Sequence, residues 1–121
     1  VRVFKYTRFS HFANKEGISD NELLKVVDQL EADQADVNLG GNVFKVRIAR
    51  PGEGKSGGHR VILYFRNEYR TFFVYGFSKS DMDNISEKEL KAFKADAKMR
   101  FSFTDEQINV RLQNGTLIEI T

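Results

Sequence analysis

Cysteine is missing from the 121 residues, proline occurs once and histidine twice. Without cysteine there is no disulfide scaffold, no thiol nucleophile and no cysteine-ligated metal. Two histidines far apart, His11 and His59, do not make a zinc site, and no metal or other cofactor is expected. Nor does any apolar run approach the ~20 residues that span a bilayer. The opening residues carry no signal-peptide pattern, so the expected location is the cytoplasm. Length and a 40% hydrophobic content fit one globular domain over 1–121.

The net charge of +2 hides an uneven distribution. Residues 1–42 and 80–121 each sum to −2, whereas 43–79 carries eight lysines and arginines against Glu53 and Glu68, giving +6. A basic centre between acidic flanks points to an anionic partner.

The only proline, together with Gly52, Gly54, Gly57 and Gly58, lies in RPGEGKSGGHR, Arg50 to Arg60. With Ala49 in front, the stretch is one glycine short of a phosphate-binding P-loop. A P-loop lysine must open a helix whose N-terminal amides meet the phosphates. Here Val61 to Phe65 comes next, which is a strand, and no repeated βα unit surrounds it. The stretch is instead expected to join two strands and to display Arg50, Lys55, His59 and Arg60. Lys45 and Arg47 share a face of the preceding strand, because Phe44, Val46 and Ile48 alternate with them. Such cations match phosphate oxygens, arginine bidentately. Tyr64 and Tyr75 are the aromatics expected to be available for stacking on a base.

Three capping boxes announce helices: Ser19 to Glu22, Ser86 to Glu89 and Thr104 to Gln107. A shorter helix over about Arg8 to Lys15 ends at Gly17, and the last stops at Asn114-Gly115. Between them, Val43–Arg50, Arg60–Arg66 and Thr71–Phe77 form an antiparallel meander, with Asn67-Glu68 as a turn. Val1 to Lys5 and Thr116 to Ile120 are expected to extend it. The fold class is α+β: an antiparallel sheet, N-terminal helices packed on one face, C-terminal helices and a short final strand. Asp81 and Asp83 are taken as turn residues ahead of a helix rather than as paired metal ligands.

FKVRI at 44–48, GKSGGHRVI at 54–62, FFVYGFSK at 72–79 and NISEKEL at 84–90 together resemble the RelE/ParE toxin superfamily, most closely its HigB-like branch. The resemblance covers about residues 40 to 95. It implies a RelE-like fold and the toxin of a two-gene toxin–antitoxin module, with a cognate antitoxin protein as partner. It further implies metal-independent cleavage of mRNA in the ribosomal A site, by attack of a 2′-hydroxyl on the adjacent phosphorus. Carried over by position, the strand cations are Lys45 and Arg47, and the arginine for the scissile phosphate is Arg60. Lys45 would serve as general base. Arg47 would act electrostatically, since a guanidinium does not deprotonate. Arg50, Lys55, Tyr64 and Lys79 would hold RNA or its phosphates. Ser80 and Ser86 stand where RelE-type enzymes carry an arginine and a tyrosine. His59 is then the candidate replacement acid or base, because an imidazole titrates near neutrality; filling a strand start is the alternative. The two missing side chains leave two other readings open: a toxin of the same fold that poisons DNA gyrase, and an inactive remnant that only docks the antitoxin.

Overall fold

The computed structural model describes residues 1–49, 58–78 and 85–121. In chain order the elements are β1 (Arg2–Tyr6), α1 (Thr7–Glu16), α2 (Asp20–Glu31), β2 (Val37–Gly40), β3 (Val43–Ile48), β4 (His59–Phe65), β5 (Arg70–Ser78), α3 (Glu87–Phe101), α4 (Asp105–Gln113) and β6 (Leu117–Ile120). All three expected capping boxes form: the hydroxyls of Ser19, Ser86 and Thr104 accept from Glu22, Glu89 and Gln107, whose side chains return the bond. Gly17 ends α1 in the left-handed region at φ 72°, as a C-terminal glycine does.

Among the described residues the sheet has six strands in the order β2-β3-β4-β5-β1-β6. The β3-β4-β5 meander is antiparallel as expected. The sheet as a whole is not, because β1 lies parallel to β5 and antiparallel to β6. β1 reaches β5 only after a crossover through two helices and three strands, the kind of route a parallel pair requires. β2 was not expected; Val-Asn-Leu-Gly is a weak strand sequence, and it forms as a half-exposed edge against β3.

The N-terminal helices cover one face of the sheet, as expected, and the C-terminal helices cover the other. Phe9 and Ala13 of α1, with Leu23, Val27 and Leu30 of α2, pack on Val46, Val61, Leu63 and Phe73. Ala97 and Phe101 of α3 and Ile108 of α4 pack on Phe4, Val43, Ile62, Tyr64 and Phe72. The reason lies in the strands: β4 is buried at every position, so each face has apolar surface to cover, worth about 1.5–3 kcal/mol per large side chain.

One irregularity positions the site. In the β4–β5 ladder Ile62 pairs with Tyr75 but Leu63 pairs with Phe73, so one extra residue sits in β5. Such a bulge shifts the alternation and re-aims the side chains beyond it. Tyr75 and Phe77 are thereby turned to the α3 face, while Gly76 turns towards α1. The ring of Phe12 lies so close that a β-carbon on Gly76 would fall 2.2 Å from it. Gly76→Ala is therefore expected to lower stability by about 1–3 kcal/mol through overpacking. A urea midpoint equal to that of the unmodified protein would show that the bulge tolerates a side chain.

Candidate functional site

The α3 face of β3 and β4 collects the cations. Arg47 lies directly opposite Arg60, and Lys45 opposite Ile62. Beyond them on β5, Phe77 pairs with Arg60 and Tyr75 with Ile62. Two neighbouring rows thus read Arg47-Arg60-Phe77 and Lys45-Ile62-Tyr75 across the sheet.

The environments of the three cations differ. Arg47 is exposed, and Asp36 attends it: the carboxylate accepts the Arg47 backbone N–H at 2.8 Å and lies 3.9 Å from its Nε. Lys45 is half-buried. Arg60 is only 8% exposed, and its Nη1 is buried without a hydrogen-bond partner among the described residues. Like charges facing each other across a strand pair repel, and a buried donor left without a partner costs about 1–3 kcal/mol. An anion placed between Arg47 and Arg60 would relieve both.

Tyr75 is 41% exposed, its ring 5.8 Å from Phe77 and 6.3 Å from Phe93 of α3. It offers a face for stacking one row from Arg60. Tyr64 does not. It is fully buried beneath α3, and its hydroxyl donates to Asp96 Oδ2 at 2.7 Å. Burial, then the bond to Asp96, pushes its phenol far above the ordinary range. Burial likewise pushes Tyr6 up to about 12.

These two tyrosines set an alkaline limit on the fold. Below about pH 10 both stay protonated, folded or unfolded, and stability is undiminished. Above it the unfolded chain releases protons that the folded chain retains, so stability falls as pH rises towards 12. The urea midpoint is expected to drop between about pH 10 and pH 11.5, less so in Tyr64→Phe. An equally steep decline in that variant would locate the limit elsewhere.

The structure does not bring His59 to the cluster. It starts β4 on the opposite face, 2% exposed beneath α1. Its ring stands edge-on to Phe12 at 5.7 Å, with Nε2 3.8 Å from Glu16 Oε2. Ser86 is engaged as the cap of α3, giving and receiving bonds of 3.1 Å with Glu89. His11 is exposed on α1. Arg50, Lys55, Lys79, Ser80, Asp81 and Asp83 lie outside the described residues.

A family model described as the RelE toxin of the RelE/RelB toxin–antitoxin system matches residues 1–120. The chain belongs to the RelE toxin family. Among the described residues its six-stranded mixed sheet with four helices is a RelE-like fold, and membership makes it a toxin of a toxin–antitoxin system with a cognate antitoxin as partner. The match extends the likeness carried by residues 40–95 to almost the whole chain. Among the described residues of this RelE-family toxin, no cluster of potential metal ligands occurs, and no helix is long and apolar enough to cross a membrane.

Proposed function

We propose that this RelE-family toxin is a ribosome-dependent mRNA endonuclease of the HigB-like branch, a single cytoplasmic domain acting on mRNA in the ribosomal A site. The observation that carries the reading is Arg60: a buried guanidinium with an orphaned donor, opposite a second arginine. That arrangement suits a bound phosphodiester, and better still the extra negative charge of its pentacoordinate transition state.

In this scheme Arg60 and Arg47 bind the non-bridging oxygens of the scissile phosphate. Lys45, as general base, takes the proton of the 2′-hydroxyl while that oxygen attacks phosphorus. The bond from phosphorus to the 5′-oxygen breaks. Water on the opposite side of phosphorus gives the departing 5′-oxygen its proton, and Lys45 afterwards loses its own to solvent, which restores the base. The products are a 2′,3′-cyclic phosphate and a 5′-hydroxyl. Tyr75 stacks on a neighbouring base. Arg50, Lys55 and Lys79 add positive charge for the flanking backbone. His59, on the far face, holds the start of β4.

Primer extension on an mRNA incubated with the protein, with and without translating ribosomes, tests this. Cleavage should require ribosomes and leave 5′ ends that polynucleotide kinase labels without prior phosphatase. No cleavage together with inhibited gyrase supercoiling would favour the gyrase-poison reading. No cleavage and no growth arrest would leave an antitoxin-binding remnant.

A further inference from the structure

The outer flank of α3 carries a second group of cations that the cleavage scheme does not use. Lys88, Lys91, Lys94 and Lys98 are all exposed. Spacings of three, three and four residues keep them on one side of the helix, over about 15 Å of its length. None makes an ion pair among the described residues. The first half of α3 starts near the site, where Phe93 meets Tyr75. Its end lies at the β4–β5 turn, where the Phe101 carbonyl accepts the Tyr69 hydroxyl at 3.1 Å.

Towards that end the lysines border a groove of about 410 Å³, whose lining includes Gly41, Asn42, Arg66, Lys94, Lys98 and Phe101. Lys94 also borders a second depression of about 500 Å³ with Glu87, Lys88, Leu90 and Lys91. The two share Lys94, and Glu87 is the carboxylate in the second. The position of Lys94 is built into the backbone. Gly40 and Gly41 turn the chain at φ 87° and 59°, and a β-carbon on Gly41 would fall 2.9 Å from Lys94 Cγ. A side chain at either glycine would push the lysine stem away.

We infer that this flank, with Arg66 and the Gly41–Asn42 turn, is a second RNA-docking surface that grips phosphate backbone away from the scissile nucleotide. Spaced ammonium groups along one side of a helix suit a phosphate backbone held without base readout. A protein segment fits less well. Protein interface cores are depleted in lysine and need exposed apolar area, whereas of the apolar side chains here Phe101 is buried and Leu90 half-buried, beside four lysines. The inference rests on the proposed function only for the choice of RNA as the polyanion.

The test uses a 2′-O-methyl RNA stem-loop, which cannot be cleaved, and fluorescence anisotropy across a salt series. The triple variant Lys91→Gln/Lys94→Gln/Lys98→Gln is compared with the unmodified protein. At about 100 mM salt its affinity should fall at least about tenfold, and the slope of log K against log salt should shrink by about 2–3. Its unfolding temperature should stay put, since the lysines are exposed. An unchanged slope overturns the inference, whatever the nuclease assay gives. So does a variant that binds RNA normally but no longer holds the cognate antitoxin. A reduced slope in a protein that cleaves no mRNA would uphold the surface and defeat the nuclease reading alone.

Discussion

Arg60→Met should raise the unfolding temperature of this toxin while lowering its cleavage rate by about 10²–10³-fold. The two effects share one cause. Arg60 is buried opposite Arg47, with Nη1 lacking a partner among the described residues. Replacing a poorly compensated buried charge by an apolar side chain of similar volume is neutral or stabilising, by about 1–4 kcal/mol. In the proposed scheme the same charge binds the scissile phosphate. Arg60→Lys should fall between, keeping a positive charge but losing the planar fork. The measurements are thermal unfolding of the free protein and ribosome-dependent cleavage below both melting temperatures. A lower melting temperature with cleavage intact would make Arg60 a packing residue, and the cleavage scheme would fail.

The largest loss of stability is expected for Phe72→Ala. Phe72 is fully buried, stacked on Phe4 at 5.5 Å and Tyr6 at 6.1 Å and edge-on to Phe101 at 5.7 Å. It joins β1 to β5 and the sheet to α3. Truncation removes the ring and leaves a cavity that three neighbouring aromatics cannot fill by small shifts. The expected cost is about 3–5 kcal/mol, a large share of the roughly 5–15 kcal/mol that holds a domain folded. The unfolding temperature should fall on the order of 10–20 °C. A fall of under 3 °C would mean that the core repacks around the gap.

Local chemistry was readable in advance, and pairing was not. Ser19, Ser86 and Thr104 cap helices through contacts three residues away, so the sequence alone sufficed for them. The alternation of β3 likewise placed Lys45 and Arg47 on one face. The parallel partner of β1 was hidden, because nothing local in Arg2–Tyr6 names a strand some seventy positions on. Tyr75 was separated from Tyr64 only by the bulge in β5, which turns one ring outward while α3 and Asp96 cover the other. Gly76 in the middle of that strand was the available signal, since an interior glycine marks a bulge or a close approach. His59 and Arg60 are a different case. Adjacent residues of one strand point to opposite faces, so period-two geometry alone keeps the two side chains from one phosphate.

β1 stands between a strand made much later, β5, and another made later still, β6, with Arg2 clasping Glu119 through bonds of 2.9 and 3.0 Å. During synthesis at roughly 5–20 residues per second, β1 waits several seconds for its first neighbour. It waits again for the second. A nascent chain therefore leaves the ribosome's exit tunnel with an interior strand open on both edges, and only release of residues 117–120 lets the sheet close. The protein becomes braced only after translation has passed the last strand.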